Sequence, residues 1–373
     1  NFKRIIMSKL FNFNYKFYTF ENNKIPFHKK IILKLLRVEI INFNKIKDNF
    51  QVNSLIEKIN YNFINKKIDK TILVLLKKLQ IHFSNFNNKT IAIDSFVKNN
   101  SFSLILTNMV KGEGGIIVEN PDEKPCPTVC ISHGTVAEKF NNHDEIYKKI
   151  IASAVFGGNS KYFAIQSKIA EKSLNTHKIN GKKILTGNIL FSEKRKKNLI
   201  FKKKYILFAV TLKKFYNLQF LGVEMFYEFI RNLNVLEKFS KQKKIKVLVK
   251  IHPSEANCIK SLRSLYPNLL FTNKPIDNLF QKCFVTISYS SSVIEDSLNS
   301  RVPVILFDQW KRYMHCKSKL TERNAIYYIN TYDSLCETVD KILNIKDFDF
   351  NEFVFEGYSK DNINKKIFTL IDK

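Results

Sequence analysis

Residues 244–257 read KIKVLVKIHPSEAN, and the fold turns on how this stretch is read. From Ile245 to Ile251 the residues are those of a buried strand, short and rich in valine and isoleucine. The run stops at His252-Pro253. Proline has no backbone N–H to give a sheet, so the strand ends there. Ser254, Glu255 and Ala256 then lead into a helical pattern. A strand that feeds a helix is half of a βαβ unit. Sheets built from such units bind ligands at the carboxyl ends of their strands.

The alternation extends in both directions. Downstream, LLFT (Leu269–Thr272), FVTISYSSS (Phe284–Ser292) and VPVILFD (Val302–Asp308) read as strands, with helices through EANCIKSLRSLY, PIDNLFQKC and VIEDSLNS. Upstream, YILFAVTL (Tyr205–Leu212) reads as a strand and Asn217–Lys241 as a long amphipathic helix. The basic stretch FSEKRKKNLIFKKK (Phe191–Lys204) reads as a linker. Before it, TIAIDSF (Thr90–Phe96), FSLILTNMV (Phe102–Val110), TVCISHGT (Thr128–Thr135), KYFAIQS (Lys161–Ser167) and KKILTGNI (Lys182–Ile189) read as strands. HDEIYKKIIASAVF and KIAEKSLNTH read as helices, and KGEGG (Lys111–Gly115) as a flexible loop. The region before Thr90 is lysine-rich and leans to helix, with apolar residues at helical spacing through Val52–Phe83. The expectation is an α/β chain of two parallel-sheet, Rossmann-like domains. Residues 1–195 form the first, with a helical, basic N-terminal region, and 205–373 the second.

Composition narrows the partners. The 62 Lys+Arg against 33 Asp+Glu give a formal charge of +29. The lysines run from end to end in a chain with only 10 Gly, the bias of an AT-rich coding sequence rather than a single arginine-rich stripe. Attraction to anionic lipid headgroups is a stronger expectation than nucleic acid. No uninterrupted apolar run reaches the ~18 residues that span a bilayer. KKIILKLLRVEIINF (Lys29–Phe43) comes nearest and is interrupted by Lys34, Arg37 and Glu39. The chain begins at Asn1 with no secretory signal pattern, so a cytoplasmic location is expected. Of six cysteines only Cys126 and Cys130 lie close together, and no second pair completes a zinc site, so buried free thiols are expected.

Two strand ends in the C-terminal half carry chemistry. His252-Pro253 is one. The other is SYSSSVIED, where Ser288, Ser290, Ser291 and Ser292 crowd a strand end just before a helix. Hydroxyls and free N–H groups there suit an anion, and serine there suits a helix cap. In the N-terminal half, ISHGTVAEKF ends a strand on His133, whose imidazole titrates near neutrality and can take a proton from an alcohol. Glu113 in KGEGG is the reserve candidate for a base, and that loop lacks the Walker lysine and spacing. His143 and Asp144 read as an exposed turn. No Gly-x-Ser-x-Gly elbow, His-Glu-x-x-His helix, kinase set or paired carboxylates for a metal occur.

HGT with the following Lys139, TGN at Thr186–Asn188, KIHP, and ISYSSSVIEDSLNSRVPVILFD occur in this order. Together they resemble the two-domain GT-B transferases of surface-polymer synthesis: CDP-glycerol glycerophosphotransferases, and bacterial polysialyltransferase and capsule glycosyltransferase families. The chain departs from them at Ser132 (often tryptophan), at Val136 (usually proline), and in TGNILFSE for TGNPR-x-D. The resemblance implies a GT-B fold whose two domains face a cleft. It implies a CMP-, CDP- or UDP-linked donor bound by the C-terminal domain, and no cofactor or metal. His252 with Pro253, and Ser290, Ser291 and Ser292, would hold the donor phosphates, with Gly187 and Asn188 also on the donor side. His133 would be the catalytic base. The acceptor would be a glycan or a lipid-linked hydroxyl, reached from the inner face of the membrane. Two other functions fit the same residues: a UDP-N-acetylglucosamine 2-epimerase, and a basic nucleic-acid-binding protein that is not an enzyme.

Overall fold

Buried on both faces, a parallel strand reads as a continuous apolar run, and such runs build the frame of this protein. The computed structural model describes residues 17–20, 27–36, 38–41, 70–107, 113–118, 126–131, 159–175, 181–187, 204–210, 219–289, 291–311, 315–316, 322–355, 366–367 and 369–370. The chain packs as two compact units, Asn1–Cys130 with Gly158–Tyr162 and Leu370–Lys373, and Ile131–Gly157 with Phe163–Thr369.

In the first unit, β1 (Phe17–Phe20) and β2 (Val38–Ile41) pair in parallel, with α1 (Phe27–Leu35) between them in sequence. A long α2 (Lys70–Lys98) follows, then β3 (Ile105–Thr107), α3 (Glu113–Val118) and β4 (Thr128–Ile131). Two expectations are corrected here. TIAIDSF is not a strand but the end of α2. Its apparent alternation conceals the helical pairs Ala92/Phe96 and Ile93/Val97, which face one core. KGEGG is not a loop throughout, because Glu113 starts α3. Ile116, Ile117 and Val118 are buried against Ala92, Ile93 and Val97. That burial outweighs the poor helix propensity of two glycines.

β5 (Tyr162–Ile165) begins at the last residue of the first unit's Gly158–Tyr162 segment, and α4 (Lys168–Asn175) and β6 (Lys182–Leu185) follow in the second unit. The smaller sheet has the order β3-β4-β5-β6, and β3 and β4 pair in parallel. Next come β7 (Tyr205–Ala209), α5 (Gln219–Lys243) and β8 (Lys246–Lys250). A 3₁₀ turn (Pro253–Cys258) leads to α6 (Ile259–Leu265), β9 (Leu269–Thr272), α7 (Asp277–Phe280) and β10 (Cys283–Ser288). α8 (Val293–Asn299), β11 (Val304–Phe307), β12 (Ile326–Ile329) and α9 (Tyr332–Asn344) complete the order. These strands form a six-stranded sheet, β12-β11-β10-β7-β8-β9, with every pairing parallel.

The core of this sheet follows from periodicity. α5 buries Phe229, Leu233, Leu236 and Phe239, one helical stripe, against Val247 and Val249 of β8. Lys244 stops α5 in the left-handed region at φ 56°. α9 starts with a reciprocal cap: the Thr331 side chain accepts from Ser334 N, and the Ser334 side chain accepts from Thr331 N. All six cysteines are free, with four of them buried. Burial pushes the Cys130 thiol up to about 11, which keeps it a thiol at neutral pH.

Candidate functional site at the carboxyl edge of the large sheet

From β7 the chain builds outward through β8 to β9, then crosses back to lay β10, β11 and β12 on the other side of β7. All strands run the same way, so their carboxyl ends share one edge. Where the strand order reverses, the loops diverge and leave a crevice, the position at which α/β sheets take ligands. The two loops flanking β7 at that edge are the ones the sequence marks: His252-Pro253 after β8, and Ser290 to Ser292 after β10.

After β8, Ile251 N still bonds the Thr272 carbonyl, which holds the strand in register to its last residue. His252 then turns its side chain to solvent. Its carbonyl accepts from Glu255 N and so starts the 3₁₀ turn that Pro253 opens. Lys250, unremarked in the sequence, lies in register with Ala209 of β7 and Thr272 of β9. Its Nζ donates to the Ile251 carbonyl at 2.6 Å. Burial lowers its pKa from the usual lysine range. A half-desolvated ammonium two residues before His252 is a natural partner for an anion, which would restore the stabilisation that burial removes.

The serines after β10 divide into two kinds. Ser288 is fully buried, and its Oγ donates to the Ala209 carbonyl at 2.7 Å, tying β10 to the end of β7. Tyr289 is buried as well. Ser291 Oγ accepts from Val293 N at 3.3 Å and so caps α8, whereas Ser292 is exposed and makes no side-chain cap bond. Ser290 lies outside the described residues. The predicted cap therefore exists, one residue earlier than the helix boundary suggests. Ser288→Ala should lower unfolding free energy by about 1–2 kcal/mol through one lost buried hydrogen bond, with nucleotide affinity unchanged. A urea titration beside a binding titration checks both.

Behind the serine edge sits a buried polar cluster that the sequence did not reveal. Glu295, in the first turn of α8, accepts from Ser167 Oγ at 2.6 Å on Oε2. His315 Nε2 stands 3.4 Å from its Oε1, and both side chains are nearly closed to solvent. Ser167 Oγ also accepts from Ala170 N and so caps α4. Oε2 of the carboxylate is thus engaged by the Ser167 hydroxyl, while Oε1 and His315 Nε2 are buried side by side with no hydrogen bond between them. At the end of β11, Asp308 is buried and accepts from Trp310 N at 3.3 Å. Burial, with the Asp308 charge and hydrogen bond, pushes Tyr328 up to about 12. Gln309 donates to Asn232 and accepts from Arg231, fastening the loop after β11 to α5.

Of the other predicted residues, Gly187 and Glu113 are described. Gly187 follows β6 with φ 69°, and its N–H bonds the Ile165 carbonyl at 3.1 Å. That positive φ is a sufficient reason for glycine there. Glu113 is the first residue of α3 in the other unit. His133, Asn188, His143 and Asp144 lie outside the described residues. Among the described residues no group of three His, Cys, Asp or Glu is arranged to hold a metal.

No protein-family model matches the chain, and no curated protein matches it in sequence. Solved structures do match. UDP-GlcNAc 2-epimerase from Methanocaldococcus jannaschii superposes with a TM-score of 0.52 at 13% identity, over 98% of this chain and 94% of that one. The same enzyme in complex with UDP-GlcNAc and UDP matches at 0.50 and 13% identity, over 91% and 93%. The wall teichoic acid polymerase TagF matches at 0.40 and 14% identity, over 73% and 68%, too remote to weigh. At such identities the likeness is one of fold. With two parallel-strand sheets in the order found here, the chain has the α/β GT-B fold that the motif resemblance implied.

Proposed function

We propose that the protein is a transferase that moves a sugar or glycerol-phosphate-type group from a nucleotide-activated donor to a hydroxyl of a cell-surface glycan or lipid-linked acceptor. The observation that carries this reading is the placement of His252 and of Ser291 and Ser292 on the two loops beside β7, at the switch point of the six-stranded sheet. There, His252, Lys250, the serine hydroxyls (Ser290 among them) and the loop amides hold the donor's phosphates. His133 accepts the proton of the acceptor hydroxyl as its oxygen attacks the donor. The bond to the nucleotide phosphate breaks, and the charge left on that phosphate is met by His252 and its neighbours. Glu113 is the alternative base. No cofactor beyond the donor enters this scheme. A formal charge of +29 supports work against an anionic membrane, where a lipid-linked acceptor would lie.

A second reading is an epimerase acting on a nucleotide sugar, favoured by the two epimerase structures that share the fold. It uses the same phosphate site but needs no acceptor. One experiment addresses both. Within a panel of CMP, CDP, UDP and GDP, one or two members should bind with dissociation constants in the ~1 μM–1 mM range. Incubation with UDP-GlcNAc alone should give no isomerised sugar. Turnover without any alcohol would favour the epimerase, and no binding across the panel would remove both.

A further inference from the structure

We infer that α1 is an interfacial helix that seats an apolar stripe in the headgroup layer of an anionic bilayer. This rests on the membrane contact proposed above and names the element that makes it. α1 is nine residues, FHKKIILKL, with no acidic residue. Only Leu33 faces the protein interior, at 1% exposure. Phe27 is 78% exposed, Leu35 77%, Ile31 44% and Ile32 39%. At 3.6 residues per turn these four cover an arc of roughly 140°, centred opposite Leu33, with the exposed His28 inside it between Leu35 and Ile32. Lys30 and Lys34 border that arc on one side and Lys29 on the other. A helix that turns its apolar residues outward and edges them with lysines is built for the boundary between water and acyl chains.

The occupant follows from charge and length. A second copy of the chain would bring another +29 against the same lysines. Nucleic acid would pair with the lysines and leave the stripe in water. An anionic lipid surface satisfies both. Nine residues span only ~13 Å, against a hydrocarbon core of ~30 Å, so the helix lies along the surface. Among the described residues no helix is long and apolar enough to cross a membrane.

The consequence is a bound fraction that salt does not remove, since an inserted apolar stripe is not screened. The test is co-sedimentation of the full chain with phosphatidylcholine vesicles, with and without phosphatidylglycerol, at low and high salt. Phe27→Ser/Leu35→Ser and Lys30→Gln/Lys34→Gln are the variants. The unmutated chain should bind the anionic vesicles and keep part of that binding in high salt. The apolar variant should lose roughly tenfold or more of its partitioning, and all of the salt-resistant part. The lysine variant should weaken binding mainly at low salt. Phe27, Lys34 and Leu35 are exposed and Lys30 is half-buried, and an unchanged circular dichroism melt establishes that both variants fold.

An apolar variant that binds like the parent overturns the role of α1 while leaving charge-driven docking in place. A parent chain that ignores anionic vesicles at low salt overturns both. Dimerisation that the apolar variant abolishes, without vesicle binding, makes the stripe a contact between copies and overturns the proposal.

Discussion

Alanine at position 133 should lower turnover by roughly 10²–10⁴-fold, the usual contribution of a general base, while nucleotide affinity stays within a few-fold of the parent. The asymmetry follows from the assignment of roles. An alcohol is too weakly acidic to attack at neutral pH without a base, whereas the donor's phosphates are held at the edge of the six-stranded sheet by His252, Lys250 and the serines. His133 takes no part in that phosphate grip in the proposed assignment, so its loss should spare binding. The parent's activity should also fall on the acid side as the imidazole takes up a proton. The sign is fixed, because the base works neutral and is lost as pH drops through its pKa. Steady-state kinetics over a pH series, beside a nucleotide titration, checks each part. If His133→Ala turns over near normally and Glu113→Gln does not, the base is the carboxylate that opens α3, and the roles are reassigned.

His252→Ala, and separately Ser290→Ala/Ser291→Ala, should weaken nucleotide binding by roughly 10- to 150-fold. This corresponds to about 1.5–3 kcal/mol for a charge-assisted contact to phosphate. His252 is exposed, and an unchanged thermal melt of His252→Ala would show that the loss of affinity is not a loss of fold. Ser291 caps α8, so the double variant carries a further loss of about 1 kcal/mol in stability. Ser288→Ala supplies the contrast: the last residue of the same strand, comparable loss of stability, no loss of affinity. Isothermal titration with the tightest nucleotide of the panel separates the three. Parent-like affinity in both His252→Ala and Ser290→Ala/Ser291→Ala would remove the phosphate site from this edge.

Much of this edge was legible in the sequence, for a physical reason. Apolar runs stand out among polar residues: FVTIS and VPVILF become β10 and β11, buried on both faces, and KIKVLVKI and LLFT become β8 and β9, buried mainly on one. Proline and serine mark where two of them end. The alternation of strand and helix then dictates a parallel sheet. What stayed hidden depends on contacts between distant segments. Ser167 and Glu295 are 128 residues apart, and nothing local to either announces a buried hydrogen bond. Lys250 reads as one lysine among many, and only its place in the register shows it at the sheet edge. Thr90–Phe96 misled because β-branched residues alternating with small polar ones suit either period, and the core of the first unit chose the helix. β12 and α9 were not anticipated. Tyr327 and Tyr328 are only half-buried on that edge strand, which blurs its apolar run.

The central claim is that a donor's phosphates lie at the switch point, between the loops after β8 and β10. A crystal structure of the chain with the tightest member of the nucleotide panel tests it directly. The terminal phosphate is expected within hydrogen-bond distance of His252 and of Ser291 or Ser292, with Lys250 Nζ turned from the Ile251 carbonyl toward it. A nucleotide bound with its phosphates away from both loops, and with Lys250 still on that carbonyl, would contradict it.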